Sequence, residues 1–364
     1  MGEIDKVRIS KYQLGALIIA FIFGMVINPA AQAKQDAWLV MLLAWFIGFG
    51  IAGFFVLIAQ MYPDKTLIQM LKSTFGNILG SFIGLLYCWY FIHLAAIVIR
   101  NHSEFIHIHI YPETPKYFII GILIFLIAYI VRNGLEVMGR VAELFVPVIP
   151  LLVIFMTLLL LGEFNFTNYK PFLAQGIGPV LQGVKTLIGF PYGELVIFLM
   201  IFPALNDKKD LLKTTWISIF IIGFVLVVLT VREIMVLGPD MFYRHIFPAS
   251  LTAKMIPGVK LDPIIDLNML IGGNTKVAIC IYAAVRGIKE IFNLKSYRLL
   301  VLPIIAFTFV LSLWLYDTIL ETVDWSAQYY FIYAFPFEFI FPSIILVVSL
   351  WKKKIKKKSK KGDR

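Results

Sequence analysis

The chain has 364 residues, of which 60% are hydrophobic and 15% are charged, and its formal net charge is +11. A soluble globular protein of this length needs a larger charged surface, so the composition predicts a polytopic membrane protein. The positive charge does not indicate a nucleic-acid site, because the basic residues lie at the ends of apolar segments and in the tail at 351–364.

Apolar segments long enough to cross a hydrocarbon core about 30 Å thick recur along the chain. We predict ten transmembrane helices, at residues 13–33, 37–60, 78–100, 117–131, 141–162, 183–203, 214–236, 264–287, 299–317 and 328–350. If the amino terminus is inside, the cytoplasmic segments hold most of the Lys and Arg residues, which predicts that both termini are cytoplasmic. The outer links at 101–116, 162–182 and 238–263 are too short for separate domains, so we expect one integral membrane domain over 1–364.

Two of the predicted helices are interrupted. The interruptions read Gly24-Met25-Val26-Ile27-Asn28-Pro29 in the first segment and Gly189-Phe190-Pro191-Tyr192-Gly193-Glu194 in the sixth. Proline removes a backbone donor and glycine weakens a helix, and broken backbone at membrane depth is tolerated only where it is buried in protein or lines a cavity. Breaks in helices 1 and 6 of ten predict an all-α LeuT-type fold of two inverted five-helix repeats, with a binding site between them. The first repeat covers 13–162, and the second begins with 183–317 and includes helix 10 at 328–350.

Three ionisable residues stand out because they lie near the middle of predicted helices, where charges are costly and often functional. Glu194 follows the helix 6 break, Lys276 lies midway along helix 8, and Glu338 lies midway along helix 10. We interpret them as an intramembrane charge network. Two alternatives remain open, namely that Lys276 forms a structural ion pair with one of the acids, and that Glu194 only caps the restarted half-helix.

The two breaks and the polar or aromatic residues of helices 3, 8 and 10 are the candidate walls of a small-molecule site. The residues that we expect to contact a ligand are Gly24, Val26, Ile27, Asn28, Tyr87, Tyr90, Phe190, Pro191, Tyr192, Gly193, Glu194, Asn274, Thr275 and Phe337. Packing is the alternative role of the two tyrosines of helix 3. Close helix contact through small residues is the alternative for the segment at 272–275.

The sequence contains no pattern that predicts an enzyme, a metal site or a cofactor site. His102, His107 and His109 lie beside Glu104 in the predicted outer link, but their spacing matches no well-specified metal motif. There is no nucleophile elbow, no HExxH sequence and no phosphate-binding glycine loop.

Short motifs along almost the full length resemble the B-subunit family of bacterial spore germinant receptors, the endospore germination permeases of the amino acid/polyamine/organocation superfamily. The matching stretches are Tyr62-Pro63-Asp64-Lys65-Thr66-Leu67, Pro112-Glu113-Thr114-Pro115, Arg132-Asn133-Gly134-Leu135-Glu136-Val137-Met138-Gly139-Arg140 with Glu143 and Pro147, Phe190-Pro191-Tyr192-Gly193-Glu194 with Phe202-Pro203, Thr275-Lys276, and Pro336-Phe337 with Pro342. Each motif is weakly specific, and their order and spacing together carry the resemblance.

The resemblance implies a subunit of the spore inner membrane that recognises a small germinant and works with an A subunit and a lipoprotein C subunit. The germinant would be an amino acid, a sugar or a nucleoside, and anionic lipid would contact the basic tail. The chain departs from relatives at 270–274, where Leu-Ile-Gly-Gly-Asn replaces an aromatic-rich stretch. Helix 5 also lacks the mid-membrane lysine of some proton-coupled relatives. The alternative function is an ion-coupled secondary transporter of amino acids or related solutes.

Overall fold

The computed structural model describes residues 7–25, 28, 30–256, 258 and 262–362. The described residues form sixteen α-helices: α1 (Lys11–Phe23), α2 (Ala37–Met61), α3 (Leu67–Phe75), α4 (Asn77–His109), α5 (Lys116–Asn133), α6 (Leu135–Phe145), α7 (Val148–Leu159), α8 (Gly178–Leu187), α9 (Leu211–Leu237), α10 (Pro239–Arg244), α11 (Pro248–Lys254), α12 (Asp262–Phe292), α13 (Arg298–Trp314), α14 (Ile319–Gln328), α15 (Tyr330–Phe335) and α16 (Phe341–Gly362). Within these ranges the only strand-like pairing is an isolated bridge between Ile9 and Leu205. The all-helical fold class is confirmed.

Shorter helical segments of 3₁₀ or π type connect several of the α-helices. Their bounds are Ala31–Asp36, Leu161–Glu163, Phe166–Tyr169, Ile188–Tyr192, Gly193–Met200, Phe202–Ala204, Lys208–Asp210 and Pro336–Ile340. The π segments at 188–192 and 336–340 interrupt the sixth and the last apolar segments. Single π turns inside helices are frequent at functional sites, so these two segments indicate a candidate functional site in the middle of the bundle.

Seven helical stretches of the described chain are long and apolar enough to cross a membrane, or eight if α13 and α14, which meet at 97°, count as one span. The chain is therefore a multi-pass membrane protein, while the number of ten spans stays a prediction. Two of the ten predicted spans have no counterpart even when eight are counted. They are the span at 13–33, where α1 has only 13 residues, and the span at 264–287, which lies within the 31-residue α12. Both pack against other helices of the bundle.

The third apolar segment extends further than its sequence predicts. We expected a helix ending at residue 100 and an outer link at 101–116, and this expectation is wrong, because α4 continues to His109 and residues 101–106 are buried. The charged residues in this extension are paired: Arg100 and Lys116 both contact Glu104 Oε1, at 3.0 and 2.7 Å. Burying paired charges costs less free energy than burying unpaired ones, so the helix does not have to end at Arg100.

The start of helix 1 is attached to the end of the sixth apolar segment. Ser10 and Gln13 form a capping box that begins α1. Immediately before it, the N–H of Ile9 donates to the Ala204 carbonyl at 2.9 Å, and the N–H of Asn206 donates to the Ile9 carbonyl at 3.0 Å. The two broken segments, which are distant in sequence, are therefore joined at one end by backbone hydrogen bonds.

Candidate functional site

The first helix break lies against the middle of α12. Helix α1 ends at Phe23, and at the next residue, Gly24, a Cβ atom would lie 2.8 Å from the carbonyl oxygen of Gly272. Only glycine allows this approach, so the small residues predicted to matter in both segments meet each other. Val26 and Ile27, which we expected to contact a ligand, lie outside the described residues. Asn28 is described, and it lines a separate cavity beyond the break.

The second break lies at the predicted position in the sixth segment. Helix α8 passes into the π turn Ile188–Tyr192, where Phe190 leaves the helical conformation with φ −117° and ψ 109°. Pro191 has no N–H with which to continue the helical hydrogen bonds. The chain then resumes as the 3₁₀ segment Gly193–Met200, and its first turn places Glu194 in the interior with no exposed surface.

A buried ion pair lies between the two breaks. Lys276 Nζ is 2.6 Å from Glu194 Oε2, and both side chains are fully buried. The ammonium group also lies over the rings of Phe190 and Phe21, at 4.3 and 4.8 Å from their centroids. Rings from both broken segments therefore contact one cation, which adds cation–π attraction to the ion pair. The positions of these four side chains depend on one another.

A chain of hydrogen bonds extends from this pair to the last apolar segment. The Tyr330 hydroxyl donates to Glu194 Oε1 at 2.5 Å and lies 3.1 Å from the Tyr90 hydroxyl, which donates to Glu338 Oε1 at 2.8 Å. Glu338 Oε2 has no hydrogen-bond partner among the described residues. The structure thus brings Glu194, Lys276 and Glu338 into one network that joins α4 of the first repeat to three segments of the second.

Tyr330 connects the two halves of this network, and the sequence analysis did not select it. The one feature of the sequence that could have identified Tyr330 is that it lies in the same apolar segment as Glu338. Tyrosines are common in such segments as packing residues, so composition alone does not separate Tyr330 from its neighbours.

Aromatic rings close the side of the network nearest the last helix. Tyr87 donates from its hydroxyl to the Phe337 carbonyl at 2.5 Å. The Tyr90 ring stacks on Phe337 with 4.9 Å between centroids and 5° between planes. The predicted residues of helices 3 and 10 therefore contact one another directly, and their packing positions the Tyr90 hydroxyl.

Other predicted residues face away from the ion pair. Tyr192 packs against α2, where a Cβ atom on Gly48 would be 2.5 Å from the tyrosine ring. Asn274 and Thr275 line a cavity of about 300 Å³ that α12 shares with α5 and α6. The structure does not bring these three side chains together with Tyr87 and Tyr90, because adjacent residues of a helix point in directions about 100° apart.

Comparison with known proteins shows which family the chain belongs to. The sequence model of the family Spore_permease, described as "Spore germination protein", matches residues 8–319. Spore germination protein KB of Bacillus subtilis (strain 168) is 34% identical over 366 residues, which cover 98% of each chain. Spore germination protein A2 of the same organism is 26% identical and covers 91% of this chain and 92% of its own length.

Solved structures show the fold. MhsT in complex with L-phenylalanine has a TM-score of 0.62 at 12% identity, over 93% of this chain and 97% of its own. Mhp1, a nucleobase-cation-symport-1 family transporter, has a TM-score of 0.68 at 11% identity, over 88% of this chain and 75% of its own. Identities this low establish the fold and nothing finer. The LeuT-type fold class expected from the two breaks is confirmed, and the chain belongs to the spore germination protein family of permease-like membrane proteins.

Proposed function

We propose that this protein is the nutrient-sensing subunit of a spore germinant receptor. In this proposal it lies in the spore inner membrane with both termini in the cytoplasm, and it binds a small amino acid, sugar or nucleoside. It passes a conformational change to an A subunit and a lipoprotein C subunit. Family membership supports the setting, and the transporter fold supports an interior that can close around a small molecule.

The observation that carries the proposal is the buried Lys276–Glu194 pair between the two helix breaks. A ligand shifts a conformational equilibrium only through its different affinities for the two states. A germinant that competes for either charge, or that separates the first break from α12, would act on a network reaching four helical segments. The ligand would then lie among Gly24, Phe190 and Gly193, with Tyr90 as a further wall.

Two features favour sensing over accumulation. The fifth apolar segment, which forms α6 and α7, contains no lysine that could couple uptake to a proton. The hydrogen bonds of Ile9 with Ala204 and Asn206 close one end of the broken segments, and a transport cycle would have to break them. Uptake of amino acids or related solutes coupled to an ion remains the alternative function, and the fold is compatible with it.

The test is a transport assay with an independent measure of response. Proteoliposomes that contain this subunit alone, given a sodium or proton gradient, should show no uptake of amino acids, sugars or nucleosides above empty vesicles. Spores carrying Lys276→Met should need a higher germinant concentration than the parent. Spores carrying Lys295→Met, which removes an exposed lysine, should respond like the parent. Gradient-driven accumulation would replace the sensory function by the transport alternative.

A further inference from the structure

A second buried charged pair faces a cavity that the central network does not use. The cavity has a volume of about 80 Å³ and lies between the first helix break, α7, α9 and α11. Arg232 and Glu233 of α9 line it together with Asn28, Thr230 and Phe247. The sequence analysis did not select the arginine or the glutamate, because they lie near the end of an apolar segment, where charges are common.

The polar atoms of this pair are incompletely bonded. Arg232 and Glu233 are each 1% exposed. Arg232 Nη2 lies 3.4 Å from the Thr252 hydroxyl and 3.9 Å from Glu233 Oε1, and the second distance is too long for a hydrogen bond. Among the described residues, Arg232 Nε and Nη1 and Glu233 Oε1 have no hydrogen-bond partner.

Two other arginines of the described chain, the buried Arg100 and the partly buried Arg286, have hydrogen-bond partners at Nε, where Arg232 has none. Arg100 donates from Nε to Glu104 at 3.1 Å and contacts the same carboxylate through Nη2 at 3.0 Å. Arg286 donates from Nη1 to the Tyr282 hydroxyl at 2.8 Å. Leaving a buried charged group without partners carries the full cost of its desolvation, so the atoms of Arg232 that have no partner among the described residues are available to a bound molecule.

We propose that this cavity binds a small zwitterion of α-amino-acid type. Its carboxylate accepts hydrogen bonds from Arg232, and its ammonium group donates to Glu233. The charges of the two side chains cancel, so a ligand with one charge would leave the opposite side chain unpaired, whereas a zwitterion satisfies both. A cavity of about 80 Å³ holds roughly five molecules of the size of water, which limits the ligand to the size of glycine or alanine.

The first test compares ligands on the unmodified protein. The purified full chain in lipid nanodiscs is titrated by calorimetry with L-alanine, with propionate, which lacks the ammonium group, and with ethylamine, which lacks the carboxylate. L-Alanine should bind at least about tenfold more tightly than either analogue, because each analogue leaves a buried charge unpaired. Equal affinity for the three probes, or binding of none of them, would overturn the assignment.

The second test assigns each charge to its partner. Arg232→Gln should weaken L-alanine binding by about tenfold or more, with little change for ethylamine, and Glu233→Gln should have the converse effect with propionate as the insensitive probe. Arg286→Gln is the control, since it removes a partly buried arginine outside the cavity, and it should bind like the parent. Full affinity in Arg232→Gln, or a cryo-EM map at saturating L-alanine with only water beside the pair, would contradict the proposal.

If a variant fails to fold, the cryo-EM map of the parent protein at saturating L-alanine still decides whether the ligand lies beside Arg232 and Glu233 or beside the Lys276–Glu194 pair. The assignment uses neither Lys276 nor Glu194. Loss of L-alanine binding at Arg232 and loss of germination response at Lys276 are therefore separate results, and either proposal can fail without the other.

Discussion

Replacing Lys276 by methionine removes the positive charge from the centre of the bundle while keeping a side chain of similar length. Glu194 then stays fully buried with the Tyr330 hydroxyl as its remaining partner in the network. Removing one partner of a buried ion pair typically costs about 3–5 kcal/mol, because the other charge is left uncompensated. The hydrogen bond from Tyr330 offsets part of this cost, so we expect a loss of about 3 kcal/mol in the free energy of unfolding.

The partner of Lys276 is identified by a double substitution. Lys276→Met combined with Glu194→Gln removes both charges together, and the loss should be smaller than the sum of the two single losses by at least about 2 kcal/mol. Combining Lys276→Met with Glu338→Gln is the matched control, because Glu338 bonds to Tyr90 instead of to the lysine. That combination should recover less, by about 1 kcal/mol or more.

The measurement is the free energy of unfolding in lipid bicelles, obtained by steric trapping or by titration with a denaturing detergent. Additive losses for Lys276 and Glu194 would show that the two charges do not stabilise each other, and the account of the central network would fail. Equal recovery by Glu194→Gln and Glu338→Gln would show that the lysine interacts with both acids alike, contrary to the 2.6 Å contact with one of them.

Two further predictions concern packing and orientation. Gly193→Ala would place a Cβ atom 2.5 Å from the Glu338 carboxyl carbon, so it should destabilise the protein by about 1–3 kcal/mol. Gly50→Ala, which meets no atom within 4 Å, should destabilise it far less in the same assay. A single reactive cysteine at Glu113 should be labelled by an impermeant reagent from outside, and one at Lys209 only from inside. Reversed labelling would overturn the cytoplasmic placement of both termini, and equal losses in the two alanine variants would argue against the close packing at Gly193.

The sequence by itself determined the class of the fold. Hydrophobic content and the recurrence of apolar segments require a helical membrane protein, since a bilayer leaves few other ways to satisfy the backbone. The break in the sixth segment was also predictable, because Pro191 cannot donate a hydrogen bond whatever surrounds it. The same holds for the cost of burying Glu194, Lys276 and Glu338, which marked them as residues in need of partners.

Tertiary structure decided how those residues are arranged. Which acid pairs with Lys276 depends on the rotation of three helices about their axes, and the packing of neighbouring helices sets that rotation. The same rotation points Asn274 into a different cavity and brings Tyr330 into the network. The extended α4 contains Glu104, whose carboxylate contacts both Arg100 of the same helix and Lys116 of the next one. A charged residue in an apolar segment can lie at the end of a helix, where water solvates it, or inside the protein, where another side chain pairs with it. When that partner is distant in sequence, it comes close only once the chain has folded.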